Sequence, residues 1–378
     1  MNTELSQFAA RLRSELTAPD NKAARGRYPE PEFNSLALEL FALQFQHNSA
    51  YQKICAARKL TPQTVEHWTQ IPAVPTAAFK ELELSSLAAD ERTAVFHSSG
   101  TTEQKPSRHF HSAESLAVYE ASLWNGFHQH FDKTGELIFL TPNPMAAPRS
   151  SLVHMFEVVR QKLGASQSAF VGQLAADGAW TLNFEAALDA LNSSLVTRHP
   201  ALVLGTAFSF VHLLDFLVER DLRVELPAGS CVMETGGYKN RSRVLPKAEL
   251  HALITDRLGV PPKNIICEYG MSELSSQAYA VTSDEWQVAS EIGATHHSSL
   301  ITHHFRFPPW ARVQIISPET GREVAEGETG IIRILDLANV FSVAAIQTED
   351  LGIRRGDGFE LIGREQLAEP RGCSLMTA

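Results

Sequence analysis

The chain reads as an α/β protein of layered helices and strands, and three observations predict it. From Thr93 onward, short apolar runs alternate with longer runs of helical period. Before that point the pattern is helical, and after Pro309 helical runs give way to strands separated by turn residues. The 378 residues are 44% hydrophobic and 20% charged, which supplies a large core for one big domain or two smaller ones and excludes a disordered chain.

Leu5, Phe8, Leu12 and Leu16 share one helical stripe, and Leu36, Leu40 and Leu43 share another. Thr61 before Pro62 reads as the N-cap and first residue of a further helix. TAVFH (93–97) and ELIFL (136–140) are strands, separated by a helix carrying Leu116, Tyr119, Leu123 and Phe127. ALVLG (201–205), an apolar helix at 207–219, SCVMETG (230–236), a helix around Leu250 to Leu258 and NIICEYG (264–270) repeat the alternation and predict parallel strands. ARVQIIS and GIIRILDL flank PETGRE, an antiparallel hairpin of a small β subdomain. The expected organisation is one large domain over 1–363, comprising a helical region (1–86), an α/β core with a central mixed sheet (87–305) and the β subdomain (306–363). A short tail, 364–378, follows.

Formal net charge is −10 and no Lys/Arg-rich block occurs, so a nucleic-acid backbone is repelled more than held. The most apolar long stretch, His199 to Glu219, is broken by Gly205, Thr206, His212 and Asp215, which predicts a strand and a helix and no membrane span. MNTELSQFAARLRSELT lacks the apolar centre of a secretion signal, so a cytoplasmic protein is expected. Cys55, Cys231, Cys267 and Cys373 form no CxxC pair and suit reduced thiols, the first three inside apolar runs and expected in the core. A homo-oligomer stays open.

The segment His97 to Ser107 concentrates hydroxyls, one glycine and one lysine after an apolar run. Gly100 permits close backbone approach, Ser98, Ser99, Thr101 and Thr102 can point hydroxyls at phosphate oxygens, and Lys105 adds charge. Gln104 and Pro106 flank that lysine, so it is no Walker A loop. By itself the segment equally fits a polar surface turn.

Glu268-Tyr269-Gly270-Met271-Ser272-Glu273 follows the apolar strand NIIC, at the carboxyl end where open α/β sheets bind ligands. Tyr269 beside Gly270 offers a flat base a platform, Ser272 can bond a phosphate oxygen, and Glu273 is the hard oxygen ligand that Mg²⁺ takes. Thr235-Gly236-Gly237 also ends a strand, and its paired glycines permit close approach. Near the carboxyl end, Asp350 can accept both hydroxyls of a ribose, and Arg364 can bond ribose or phosphate. Each residue alone has a plainer reading, as a buried tyrosine, a solvated acid or a surface arginine. Three strand-end loops of ligand-permitting chemistry together favour a nucleotide site.

Other features are read plainly. His296-His297 and His303-His304 lack the spacing of a metal site. His97, His109 and His111 read as solvated or core histidines, Lys80 and Lys239 as surface lysines, and Trp124, Phe127, Phe208 and Phe210 as core.

Taken in order, SSGTTEQKPS, METGGYK, EYGMSE, QTEDLG and DGFELIGR resemble the core motifs of the adenylate-forming superfamily of acyl-CoA ligases, luciferases and adenylation domains. Within it, IPAVPTAAFKE, GGYKNRSRVLPKAEL, CEYGMSELSSQAYA, IQTEDLG and RGCSL are similar to the acyl-protein synthetases of the bacterial luminescence fatty-acid reductase complex. The resemblance implies that superfamily's large-domain fold without its mobile carboxyl domain. It implies MgATP, activation of a carboxylic, fatty acid as acyl-AMP with pyrophosphate release, and transfer of the acyl group to a thiol. Thr101 and Thr102 would hold phosphate, Gly236, Gly237 and Tyr269 adenine, Glu273 Mg²⁺ and Asp350 ribose. Cys373 would be the acyl acceptor, ahead of a carrier-protein pantetheine and of CoA, with an acyl-CoA or acyl-protein reductase or an acyl carrier protein as partner. A thiol suits that role chemically, and Arg371 nearby would favour its thiolate. Two departures stand out: Glu103 occupies a usual glycine position, and the chain ends soon after Arg364, where larger members continue into a domain with a catalytic lysine. A phenylacetate-type CoA ligase and a non-catalytic nucleotide-binding scaffold are the alternatives.

Overall fold

The computed structural model describes residues 3–18, 28–98, 105–131, 135–165, 168–237, 242–281 and 304–364. The amino-terminal region is built from α1 (Thr3–Thr17), α2 (Glu30–His47), α3 (Ser49–Ala57), the short strand β1 (Val74–Pro75) and α4 (Ala78–Glu81). Leu5, Phe8, Leu12 and Leu16 are buried along α1, as their spacing requires. The helix expected from Thr61 is instead a single turn, closed by Thr64 N–H to the Thr61 carbonyl at 2.9 Å. Gln70 then accepts from Glu66 N–H at 2.8 Å and diverts the chain into a 3₁₀ turn at Trp68–Gln70.

Next come β2 (Ala94–His97), β3 (Arg108–His111), α5 (Ala113–His128), β4 (Glu136–Phe139), α6 (Ser151–Leu163), β5 (Ser168–Phe170), β6 (Gly172–Leu174), β7 (Trp180–Leu182), α7 (Phe184–Thr197), β8 (Ala201–Thr206), α8 (Ala207–Glu219), β9 (Cys231–Thr235), α9 (Lys247–Leu258), β10 (Ile265–Tyr269) and β11 (Ala278–Val281). One sheet runs β11-β10-β9-β8-β4-β5; its β5, β4, β8, β9 and β10 are parallel neighbours, and β11 is antiparallel to β10. All six residues of β8 are buried because helices cover both faces: α7, α8 and α9 on one, α5 and α6 on the other. TAVFH does not join this sheet. The connection from β2 to β3 is too short for a parallel crossover, so β2 pairs antiparallel with β3, Ala94 opposite His111.

The last layer comprises β12 (His304–Phe305), β13 (Ala311–Ile316), β14 (Thr329–Asp336), β15 (Ala345–Arg355) and β16 (Gly358–Arg364), in the order β12-β16-β15-β14-β13. β13 and β14 are the hairpin arms read around PETGRE. β1 adds to this layer in parallel, Val74 opposite Ile346, so the amino-terminal region and the β layer share one core containing Leu5, Phe33, Tyr51, Trp310, Ile334 and Ile346. Buried Gln44 seals the junction. It donates to the carbonyls of Asn339 (2.7 Å) and Val340 (3.1 Å) and accepts from Ala344 N–H at 3.0 Å.

Candidate active site

β9 and β10 run in register with Glu268 beside Thr235, so the GG and YGMSE segments leave the sheet side by side. Gly236 has φ +68°, a left-handed conformation that glycine adopts without cost, and among the described residues nothing lies within 4 Å of the positions a Cβ would take at Gly236 and Gly237. Thr235 Oγ1 donates to Glu268 Oε2, which ties the two strand ends together. Burial pushes the Glu268 carboxyl up to about 7, against the lowering effect of the Thr235 hydroxyl. At Gly270 a Cβ would overlap Glu268 Oε1, so a side chain there would break this arrangement.

Tyr269 donates its phenolic hydrogen to Asp350 Oδ2 at 2.8 Å, while its ring packs edge-on against Phe359 and Phe305. Asp350 is turned by its own N–H, which bonds Thr348 Oγ1 at 3.1 Å. Arg364 is its cross-strand partner in β16. Strand pairing thus sets the two residues expected at a ribose opposite each other.

Glu273 is 5% exposed; Ser272 Oγ donates to its Oε2 at 3.0 Å, and Asn339 Nδ2 donates to its carbonyl at 2.8 Å. Ser107 Oγ lies 3.4 Å from Ser272 Oγ, and His109 Nδ1 donates to the Ser272 carbonyl at 2.8 Å. Burial holds the His109 imidazole down to about 4, so near neutrality it is uncharged and serves as a donor. Ser107 N–H in turn bonds Ser98 Oγ at 3.0 Å. The two ends of the hydroxyl-rich segment are therefore closed on each other and set against the Ser272-Glu273 turn. Lys105 lies on the surface with Nζ 3.2 Å from Glu81, an exposed ion pair that is cheap to exchange for another anion.

Ser99, Gly100, Thr101, Thr102, Lys239, His296, His297, His303 and Cys373 lie outside the described residues. His304 Nε2 donates to the Arg355 carbonyl at 2.8 Å and so braces β12. Glu268 and Asn339 carry no role in the sequence reading, Ser107 only closes the hydroxyl-rich segment, and His109, beside it, is read as a plain histidine ahead of a substrate-positioning one. Yet each holds a site loop by a hydrogen bond. The inward phase of His109 on β3 is the one local sign of this; the Asn339 contact leaves none. A cavity of about 200 Å³ among His130, Phe131, Pro200, Cys231 and Lys263 lies at the amino ends of the same strands. The converging hydroxyls and carboxylates sit at the opposite, carboxyl ends, and chemistry rather than cavity size marks the site there.

The fold is that of the adenylate-forming ligases. It is similar to a crystal structure of 2-hydroxyisobutyryl-CoA ligase in the postadenylation state with 2-HIB-AMP (TM-score 0.64, 12% identity, 92% of this chain and 72% of that one). It is also similar to an open conformation of that ligase with 2-HIB-AMP and CoA (TM-score 0.62, 13% identity, 92% of this chain and 79% of that one). The chain belongs to the acyl-protein synthetase family LuxE, whose model matches residues 26–378. Among its relatives are the long-chain-fatty-acid–luciferin-component ligases of Aliivibrio fischeri and Vibrio harveyi. The first is 23% identical over 361 residues, 91% of this chain and 87% of the relative. The second is 22% identical over 346 residues, 89% of this chain and 84% of the relative. The protein is accordingly an enzyme, an acid–thiol ligase that activates an acyl group with ATP. Among the described residues no helix is long and apolar enough to cross a membrane.

Proposed function

We propose that this enzyme converts a long-chain fatty acid and ATP to acyl-AMP and pyrophosphate, and then passes the acyl group to the thiol of Cys373. The observation that carries the reading is the meeting of sequence-distant residues beyond the carboxyl ends of the parallel strands: Ser98 and Ser107, Tyr269 to Glu273, and Asp350. Asp350 and Arg364 face the ribose, and Tyr269, Gly270, Gly236 and Gly237 bracket the adenine. Ser98, Ser99, Gly100, Thr101, Thr102, Lys105 and Ser272 take the phosphates. Glu273 with the hydroxyls of Ser272 and Ser107 is an all-oxygen donor set, which suits Mg²⁺. The bound metal would supply neutralisation of phosphate charge.

In the first half-reaction a carboxylate oxygen of the acid bonds to the α-phosphorus, and the bond from that phosphorus to the bridging oxygen of pyrophosphate breaks. The loop hydroxyls and Lys105 stabilise the charge that develops there. In the second, the Cys373 thiolate bonds to the acyl carbon, AMP leaves with the carbonyl–phosphate oxygen, and the thiol proton passes to solvent. The resulting thioester suits an acyl-protein reductase or a carrier protein as its next partner. The fatty chain rests on the names of the two relatives, and Cys373 on the RGCSL resemblance.

Acid-dependent pyrophosphate exchange across carboxylic acids of increasing chain length tests the reading. Exchange that rises to a maximum with long-chain acids is expected. Exchange greatest with an aromatic or short hydroxy acid overturns the substrate class, and absence of exchange with every acid overturns the adenylation chemistry.

A further inference from the structure

Beneath the strand ends, on the face covered by α9, three different donor side chains meet: Glu234 of β9, His251 of α9 and Cys267 of β10. They are 1%, 5% and 0% exposed. Glu234 and Cys267 are cross-strand neighbours and so point to the same side of the sheet. His251 Nε2 lies 3.4 Å from Glu234 Oε1 and 3.7 Å from Cys267 Sγ, and the three donor atoms all lie within 4.8 Å of one another. A tetrahedral zinc ion with bonds of about 2.0–2.3 Å holds its nitrogen, oxygen and sulfur donors about 3.3–3.6 Å apart. The spacing therefore needs little adjustment to close around a metal.

Lys247, one helical turn before His251, places Nζ 2.9 Å from Glu234 Oε1. A buried ion pair needs only these two groups. An imidazole nitrogen and a sulfur turned toward the same carboxylate add the mixed donor set that zinc selects over magnesium or an ammonium. We propose that Glu234, His251 and Cys267 bind Zn²⁺, and that the Lys247 ammonium holds the carboxylate in the metal-free protein. Charge balances in both states. Without metal, Lys247 neutralises Glu234. On binding, Cys267 releases its proton to solvent, the two anionic ligands neutralise Zn²⁺, and the Lys247 side chain, 34% exposed, turns its ammonium out to water. The metal pins α9 to β9 and β10 two residues before Gly236 and Tyr269, and so braces the strand ends that carry the site.

The test uses the full chain, stripped with a chelator and titrated with Co²⁺. One equivalent should give the visible bands of tetrahedral cobalt and a thiolate-to-cobalt charge-transfer band, both abolished by Zn²⁺. The charge-transfer band should vanish in Cys267→Ser, and His251→Ala should lower the affinity. Lys247→Met should bind Zn²⁺ about tenfold more tightly, since a neighbouring positive charge is removed. This last variant and the wild-type titration decide the matter even if a ligand variant fails to fold. No cobalt spectrum in the wild type, or the same spectrum in Cys267→Ser, overturns the site. Unchanged affinity in Lys247→Met overturns the part given to the lysine.

Discussion

The Tyr269 hydroxyl bonds Asp350 Oδ2 at 2.8 Å across 81 positions of sequence, and so ties the end of the parallel sheet to the long strand of the antiparallel one. A ligand lying against Tyr269 is thereby within reach of Asp350. Asp350→Asn keeps the side chain's shape but removes its charge and one of its acceptors, so ATP affinity should fall about tenfold, with the preferred acid unchanged. Tyr269→Phe, which only frees Asp350, should cost a few-fold. Calorimetry with ATP decides. An altered acid profile at unchanged ATP affinity would move Asp350 to the other substrate.

Glu273 is buried against Ser272, and its backbone carbonyl is held by Asn339. Glu273→Gln leaves that backbone contact in place and removes the hard anionic ligand. Acid-dependent pyrophosphate exchange should drop about a hundredfold or more, while thermal stability changes little. Exchange at the wild-type rate would take Glu273 out of the reaction.

Glu268 should make stability depend on pH. Its folded-state pKa, about 7, stands above the ordinary 4.5 because of burial. Between those values the folded protein keeps a proton that the unfolded chain has released, so this contribution is full below about 4.5 and is lost as pH rises through about 7. His109 acts in the opposite sense: with its pKa held at about 4, it favours the fold above 6.5 and that contribution is lost as pH falls toward 4. The Glu268 part is therefore read as a difference. Glu268→Gln should gain stability relative to wild type by roughly 1–3 kcal/mol between about pH 5 and about pH 8 in urea titrations. A difference that is flat with pH would mean Glu268 ionises as an ordinary carboxylate.

Cys373→Ser separates adenylation from transfer. The variant should retain acid-dependent pyrophosphate exchange and lose the hydroxylamine-sensitive label that the wild type takes from radiolabelled acid and ATP. An acyl adduct on another residue in intact-protein mass spectrometry, or undiminished turnover to acyl-CoA, would assign the acceptor elsewhere.

Much of the fold is legible in the residues themselves. The apolar helix read at 207–219 is α8, ARVQIIS and GIIRILDL are paired arms, and the alternation from ELIFL to NIICEYG is the parallel sheet. These features are local, and each rests on a period or on adjacent turn residues. The misreadings are local patterns overruled by the residues that follow them. Thr61-Pro62 has the form of a helix start, but Gln70 takes the following amides. TAVFH has the form of a sheet strand, but the short return through β3 claims its edge first.

The sequence by itself determined which loops can carry chemistry, because hydroxyls, glycines and carboxylates at strand ends declare their capacity wherever the chain takes them. It could not say which groups meet. Only the tertiary structure decided that Ser107 and His109 hold Ser272, that β1 joins β15, that Asn339 holds Glu273, and that Glu234, His251 and Cys267 share one buried point. The physical reason is common to all four. A hydrogen bond or ligand set formed between distant segments is fixed by sheet register and helix packing, and neither leaves a periodic trace in the residues that use it.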